Sequence, residues 1–168
     1  MLNTSTYHGV DGVLTLSDPD GVTPDVFTSY FGEGGIVGRV TNIALSVSTV
    51  VKPFHEIGSH APKELRAGNI SIEGTVERAF INGAFLKLML GPYSESEEGG
   101  TPFKMPQFNM KIALDNQKPI GDEGNNILTV YGVMFDVWQF NLPEDDFVLE
   151  KAHFRARRIT VEDTEVPA

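Results

Sequence analysis

The sequence predicts a mainly β, antiparallel fold with one short α-helix and long loops, and three observations carry that expectation. Apolar and polar residues alternate with period two over several stretches, clusters of Gly, Pro, Asn and Asp separate those stretches, and one segment alone repeats its apolar residues at spacings of three and four. With 168 residues and 40% hydrophobic content, the chain is expected to form a single domain across 1–168 with a sizeable core.

In chain order, the first strand is expected over Val10 to Leu16 and the second over Ile36 to Val51. In the second, Ile43, Leu45, Val47, Thr49 and Val51 share a face opposite Ala44, Ser46, Ser48 and Val50. Ile70, Ile72, Gly74 and Val76 alternate with Ser71, Glu73, Thr75 and Glu77, a strand with one apolar and one polar, acidic side. Ala79 to Leu90 reads as the helix: Phe80, Ala84, Phe85, Leu88 and Met89 fall on one face, Gly83 weakens it, and Gly91-Pro92 ends it. Further strands are expected over Gln107 to Leu114, Ile127 to Phe140 and Phe147 to Val161. In the last of these, Val148, Ala152, Phe154 and Ala156 share one parity while Ile159 and Val161 take the other, which predicts a bulge or bend near Arg157.

Three connections are long: Asp18 to Gly35, Pro92 to Pro106 and Asp115 to Asn126. The first contains Val22, Val26, Phe27, Tyr30 and Phe31. It is too apolar for a solvated linker and is expected to pack on its own domain or on a neighbouring copy.

The formal net charge is −10, from 13 Lys and Arg against 23 Asp and Glu, which disfavours a protein that wraps a phosphate backbone. The charge is unevenly placed: residues 1–38 hold five acids and no Lys or Arg, whereas residues 39–91 hold six basic residues against four acids. Opposite patches suit head-to-tail self-association, and a solvated surface with chance asymmetry gives the same pattern. Cysteine is absent, so disulfides, thiolate nucleophiles and Cys-based metal sites are excluded. The N-terminal residues lack the basic and apolar regions of a secretory signal, and the apolar stretch Ala84 to Leu90 is too short to span a membrane, so a soluble cytoplasmic product is expected.

No residue set nominates catalysis, a cofactor or a metal. His55 and His60 stand five apart with Gly58 between them and Pro53 and Pro62 flanking, so they do not share a helical face as a zinc motif requires. Gly32-Glu33-Gly34-Gly35 leads into a strand, not a helix, and lacks the Lys of a phosphate-binding loop. Arg155, Arg157 and Arg158 form a basic cluster suited either to phosphate or carboxylate contact or to pairing with the many acids of the chain, Glu144 to Asp146 among them. Trp138, Tyr131, Phe135 and Phe140 are expected in core and interface packing.

From Gly38-Arg39-Val40-Thr41-Asn42-Ile43, through Val51-Lys52-Pro53-Phe54-His55-Glu56-Ile57-Gly58, to Gly68-Asn69-Ile70 and Gly74-Thr75-Val76-Glu77-Arg78, the sequence resembles a bacteriophage tail tube protein. The closing segment, Val133-Met134-Phe135-Asp136 to Phe154-Arg155-Ala156-Arg157, resembles the end of the same family. The resemblance implies a small β-barrel or sandwich with a flanking helix, related to the tubes of type VI secretion and other contractile injection systems. It implies homohexameric rings stacked into a tube, with an acidic lumen that conducts DNA during genome ejection. The implied partners are the tape-measure protein and transiting DNA, and a tail sheath if the tail contracts. The implied location is the virion tail, assembled in the host cytoplasm, with no membrane and no cofactor.

Under this resemblance Glu73, Thr75 and Glu77 are candidates for the lumen wall, with outward solvent as the other placement. Val22, Val26, Phe27, Tyr30, Phe31, Phe54 and His55 are candidates for subunit or ring contacts. Two alternatives stand beside the phage tube: a tube subunit of a protein-translocating contractile injection or type VI secretion system, and a monomeric ligand-binding β-barrel with the loops as a lid.

Overall fold

A computed structural model of the chain describes residues 7–18, 31, 35–95, 105–115 and 125–163. Seven strands, β1 (Gly12–Ser17), β2 (Val40–Phe54), β3 (Glu64–Ala79), β4 (Phe108–Asp115), β5 (Asn125–Asn141), β6 (Leu149–Ala156) and β7 (Arg158–Asp163), form one antiparallel sheet. Their order is β1-β4-β5-β6-β3-β2, with β7 beside β5. The mainly β class expected from the alternation is the one observed.

The sheet curls because β5 is shared along its length. Its first half pairs with β4 and β7, and its second half pairs with β6, which passes the ladder on to β3 and β2. One stretch of chain then draws the two ends of the sheet together. The Leu16 N–H donates to the Gly35 carbonyl and the Val37 N–H to the Leu14 carbonyl, each at 2.9 Å, so residues 35–37 lie on the edge of β1. Three residues later Val40 sits opposite Arg78 of β3. Two left-handed backbone positions make this switch, Gly35 at φ 66° and Arg39 at φ 57°. At Gly35 a Cβ would stand 2.1 Å from the Leu16 carbonyl oxygen, so only glycine fits. This is why β2 begins at Val40 and not at Ile36: residues 36 and 37 are committed to a different edge.

The core lies on the concave face. Leu14 and Leu16 from β1, Ile72 and Val76 from β3, Phe108 and Met110 from β4, Val130, Val133 and Phe135 from β5, and Ala152 and Phe154 from β6 are all buried there. Helix α1 (Ala84–Leu90) covers this cluster with Phe85 and Leu88, Phe85 lying 5.2 Å from the Phe135 ring. The helix is shorter than the expected Ala79 to Leu90. The Ala79 N–H is taken by the Arg39 carbonyl at 3.0 Å and the Phe80 N–H by the Val148 carbonyl at 2.9 Å, which holds the chain extended until Asn82-Gly83 turns it. Phe80 therefore sits at the sheet margin, stacked edge-on against Phe140 at 5.0 Å, and not on the buried helical face.

The bend expected near Arg157 is present. β6 ends at Ala156, β7 starts at Arg158, and both pair with the same strand, so Arg157 is the extra residue that flips parity. Opposite it Gly132 takes φ 64°, and the Arg157 side chain fills the space a Cβ would need.

Candidate functional site

Two surfaces stand out. The first is the non-core face of the strands β2, β3, β6 and β5. Ile72, Gly74, Val76 and Arg78 point into the core, so Glu73, Thr75 and Glu77 share the opposite face, as the alternation required. Cross-strand neighbours define their setting. Glu73 lies between Ser46 and Arg155, Thr75 between Ala44 and His153, and Glu77 between Asn42 and Lys151.

A bulge between Phe135 and Val137 brings Asp136 onto this face. The Nδ1–H of His153 donates to Asp136 Oδ1 at 2.5 Å, and Arg155 Nε donates to Asp136 Oδ2 at 3.3 Å. His153 Nε2 stands 3.7 Å from Glu73 Oε2. These side chains are part-exposed, so each pair contributes at most about 1 kcal/mol. Their effect is on the character of the face: its carboxylates are interleaved with cations.

That interleaving extends over the strands. The seven strands carry eight of the 23 carboxylates and seven of the 13 Lys and Arg, leaving fifteen carboxylates against six cations outside them. Nine of the ten net negative charges therefore lie outside the strands. The basic cluster resolves into three separate roles: Arg155 pairs with Asp136, Arg157 covers Gly132, and Arg158 stacks over the Tyr131 ring at 4.3 Å. Pairing with an acid of this chain is thus what Arg155 does, through Asp136 and not through Glu144 to Asp146.

The second surface is a projecting hairpin. β6 ends opposite Ile72, yet β3 continues to Glu64 and β2 to Phe54, paired only with each other. This arm extends about 25 Å beyond the barrel. Val47, Thr49, Val51 and Pro53 stand opposite Ile72, Ile70, Ala67 and Leu65, so the apolar face of the core runs on along the arm. Val51 is 52%, Leu65 64% and Ile70 72% exposed. The tip is a turn with Gly58 at φ 85°. Phe54 and His55, expected at subunit contacts, flank it and are exposed, as is Ile57. Phe31, the one described member of the candidates in the first long loop, packs against the core and lies 5.9 Å from the Arg78 guanidinium. Val22, Val26, Phe27 and Tyr30 lie outside the described residues.

Beneath the far end of β3 is a feature that sequence reasoning missed. Arg78 and Glu150 are both fully buried, with Arg78 Nε donating to Glu150 Oε1 at 2.5 Å. Trp138 Nε1 donates to Glu150 Oε2 at 2.9 Å, Arg78 Nη2 donates to Asn82 Oδ1 at 3.1 Å, and the Arg78 guanidinium lies 4.0 Å from the Phe85 ring centroid. The cluster ties β3, β5, β6 and α1 into one register. Arg78 occupies the apolar parity of its strand, after Ile72, Gly74 and Val76, which is the signal that marks a buried cation in need of a partner.

No protein-family model matches the sequence, and no curated protein does. Solved structures do match the fold. A chain of the sixfold-symmetrised baseplate of the anti-feeding prophage aligns with 96% of this chain and 97% of its own length, at 14% identity and TM-score 0.64. A chain from the sheath/tube terminator of an extracellular contractile injection system in its extended state covers 94% and 97%, at 10% identity and TM-score 0.63. The SPP1 tail tube protein covers 95% and 80%, at 11% identity and TM-score 0.60. The chain shares the fold of these proteins, the SPP1 tail tube protein among them.

Proposed function

We propose that this chain is a non-enzymatic structural protein, the repeating subunit of a bacteriophage tail tube, with six copies closing into a ring and rings stacking into a hollow conduit. The observation that carries this reading is the agreement of fold over nearly the whole chain, 96%, with a chain of a sixfold-symmetrised baseplate. β2 is the terminal strand of the sheet order and is 15 residues long. An edge of that length templates strand pairing with another copy, which joins the sheets of a ring into one inner barrel.

In this arrangement the polar face bearing Glu73, Thr75 and Glu77 lines the lumen. Over β3, β5 and β6 its carboxylates Glu73, Glu77 and Asp136 outnumber Lys151 and Arg155, so the wall is weakly acidic. A wall of this kind repels DNA phosphates enough to prevent adhesion and lets the polymer slide during genome ejection. Phe54 and His55 on the arm make subunit contacts. The tape-measure protein and DNA occupy the lumen, a sheath surrounds the tube if the tail contracts, and the assembly belongs to the virion tail.

A second reading is a tube that moves proteins, favoured by the agreement in fold with chains of the anti-feeding prophage and an extracellular contractile injection system. Genes for a capsid and terminase beside this one support the phage reading, and their replacement by toxin genes supports the second. Negative-stain microscopy of purified protein tests both. Rings and tubes are expected, and strict monomers under every assembly condition overturn the tube.

A further inference from the structure

The polar face shared by β3, β6 and β5 has a histidine at its centre. His153 stands midway along β6, opposite Thr75 of β3 and Val137 of β5. Among the described residues, the charged groups around it are Glu73 and Glu77 from β3, Asp136 from β5, and Lys151 and Arg155 from β6 itself. β2, the next strand beyond β3, brings only the uncharged Asn42, Ala44 and Ser46 to this stretch.

The two ring nitrogens of His153 are placed differently. Nδ1–H is committed to Asp136 Oδ1 at 2.5 Å, whereas Nε2 stands 3.7 Å from Glu73 Oε2. In the neutral ring with its proton on Nδ1, Nε2 is an acceptor facing another acceptor. In the imidazolium it is a donor facing a carboxylate. The charges nearby make that proton count. Where the four strands lie side by side, the carboxylates Glu73, Glu77 and Asp136 outnumber the cations Lys151 and Arg155 by one, and Arg78 and Glu150 neutralise each other on the buried face. A single proton on His153 removes that excess.

We propose that His153 is a proton-operated charge switch in the wall of the conduit: with the ring neutral the wall repels a polyanion, and with a proton on Nε2 the wall is neutral and lets a polyanion stay. The proton comes from solvent, which reaches the ring because its side chain is 30% exposed. Asp136 keeps Nδ1–H throughout, so proton uptake adds a link from β6 to β3 without breaking the one to β5. Between about pH 5 and 8 histidine is the side chain that ordinarily changes charge, and Asp, Glu, Lys and Arg ordinarily do not. The inference rests on the tube reading, which turns this face toward the lumen, and adds its regulation: a nucleic acid slides at neutral pH and is held in acid.

The test uses tubes of the intact chain, incubated at low salt with a short fluorescent single-stranded oligodeoxynucleotide and pelleted at about pH 5.5 and about pH 8. Wild-type tubes are expected to carry down at least about fivefold more oligonucleotide in acid, where the wall no longer repels it. His153→Gln cannot take the proton, and its tubes exclude the oligonucleotide at both pH values. Glu73→Gln removes the excess carboxylate directly, and its tubes hold as much at the higher pH as wild-type tubes hold in acid. Wild-type retention that does not change with pH, H153Q tubes that match the wild type in acid, or E73Q tubes that still need acid overturn the switch and leave the tube reading intact. A wild-type chain that builds no tube at either pH removes both.

Discussion

β2 and β3 are one hairpin with two halves that obey different rules. In the half that meets β6, Ile72, Gly74, Val76 and Arg78 are buried and the residues between them are part-exposed, the ordinary pattern of a sheet with one face on a core. In the half beyond Ile72 every residue of β3 is exposed, although Ile70, Ala67 and Leu65 stay on one face across the bulge, opposite Thr49, Val51 and Pro53. Alternation therefore records which face is apolar, and burial depends on whether another layer lies over it. The arm keeps an apolar face with no layer of its own chain among the described residues, which is what a segment meant for another copy looks like.

Substitutions in the barrel half should cost the monomer most. Arg78→Ala leaves Glu150 buried without its counter-charge and should destabilise the fold by about 3–5 kcal/mol, read as a lower denaturation midpoint with the slope unchanged. Gly74→Ala comes next, at about 2–3 kcal/mol. An added Cβ would stand 2.2 Å from the Ala44 carbonyl oxygen and 2.7 Å from the Phe154 ring, so both the partner strand and a core side chain must move. At the parity-switching bend, Gly132→Ala should cost about 1–2 kcal/mol, because it places a side chain at positive φ against Arg157. The arm half should behave in the opposite way. Val51→Ser, Leu65→Ser and Ile70→Ser together should shift monomer stability by no more than about 0.5 kcal/mol per site, yet abolish polymer in sedimentation. A large loss of monomer stability from these three would mean that the arm is part of the core after all.

The fold was legible where a local rule had no competitor. The change of parity between Ala156 and Ile159 located the bend at Arg157, because an inserted residue is the local way to return a strand's apolar side to the core. Long-range pairing overrode other local signals. The start of β2 moved from Ile36 to Val40 because residues 35–37 are held by β1, and the helix lost its first turn because Arg39 and Val148 capture the backbone N–H groups of Ala79 and Phe80. Alternation marks β3 only from Ile70, since Leu65, Arg66, Ala67 and Gly68 carry no strong strand signal and are held extended by pairing with β2. Of the candidate surfaces, the shared face of Glu73, Thr75 and Glu77 followed directly from period two. Their neighbours Asp136, His153 and Arg155 did not, because they come from strands some 60–80 residues away and meet only through register. Parity alone marks Arg78 as buried, but its partner Glu150, 72 residues away, is set only by register.

The central claim is that the arm serves assembly and the barrel serves stability. The direct test removes the arm: residues 50–69 are replaced by Asn-Gly, joining Thr49 to Ile70, which already stand opposite each other in the ladder, through a tight turn. Mass photometry and thermal melting are then compared with the intact chain. The account predicts a monomer that melts like the wild type and forms no rings or tubes at concentrations where the intact chain does. A shortened chain that still builds tubes, or one that fails to fold, would contradict it.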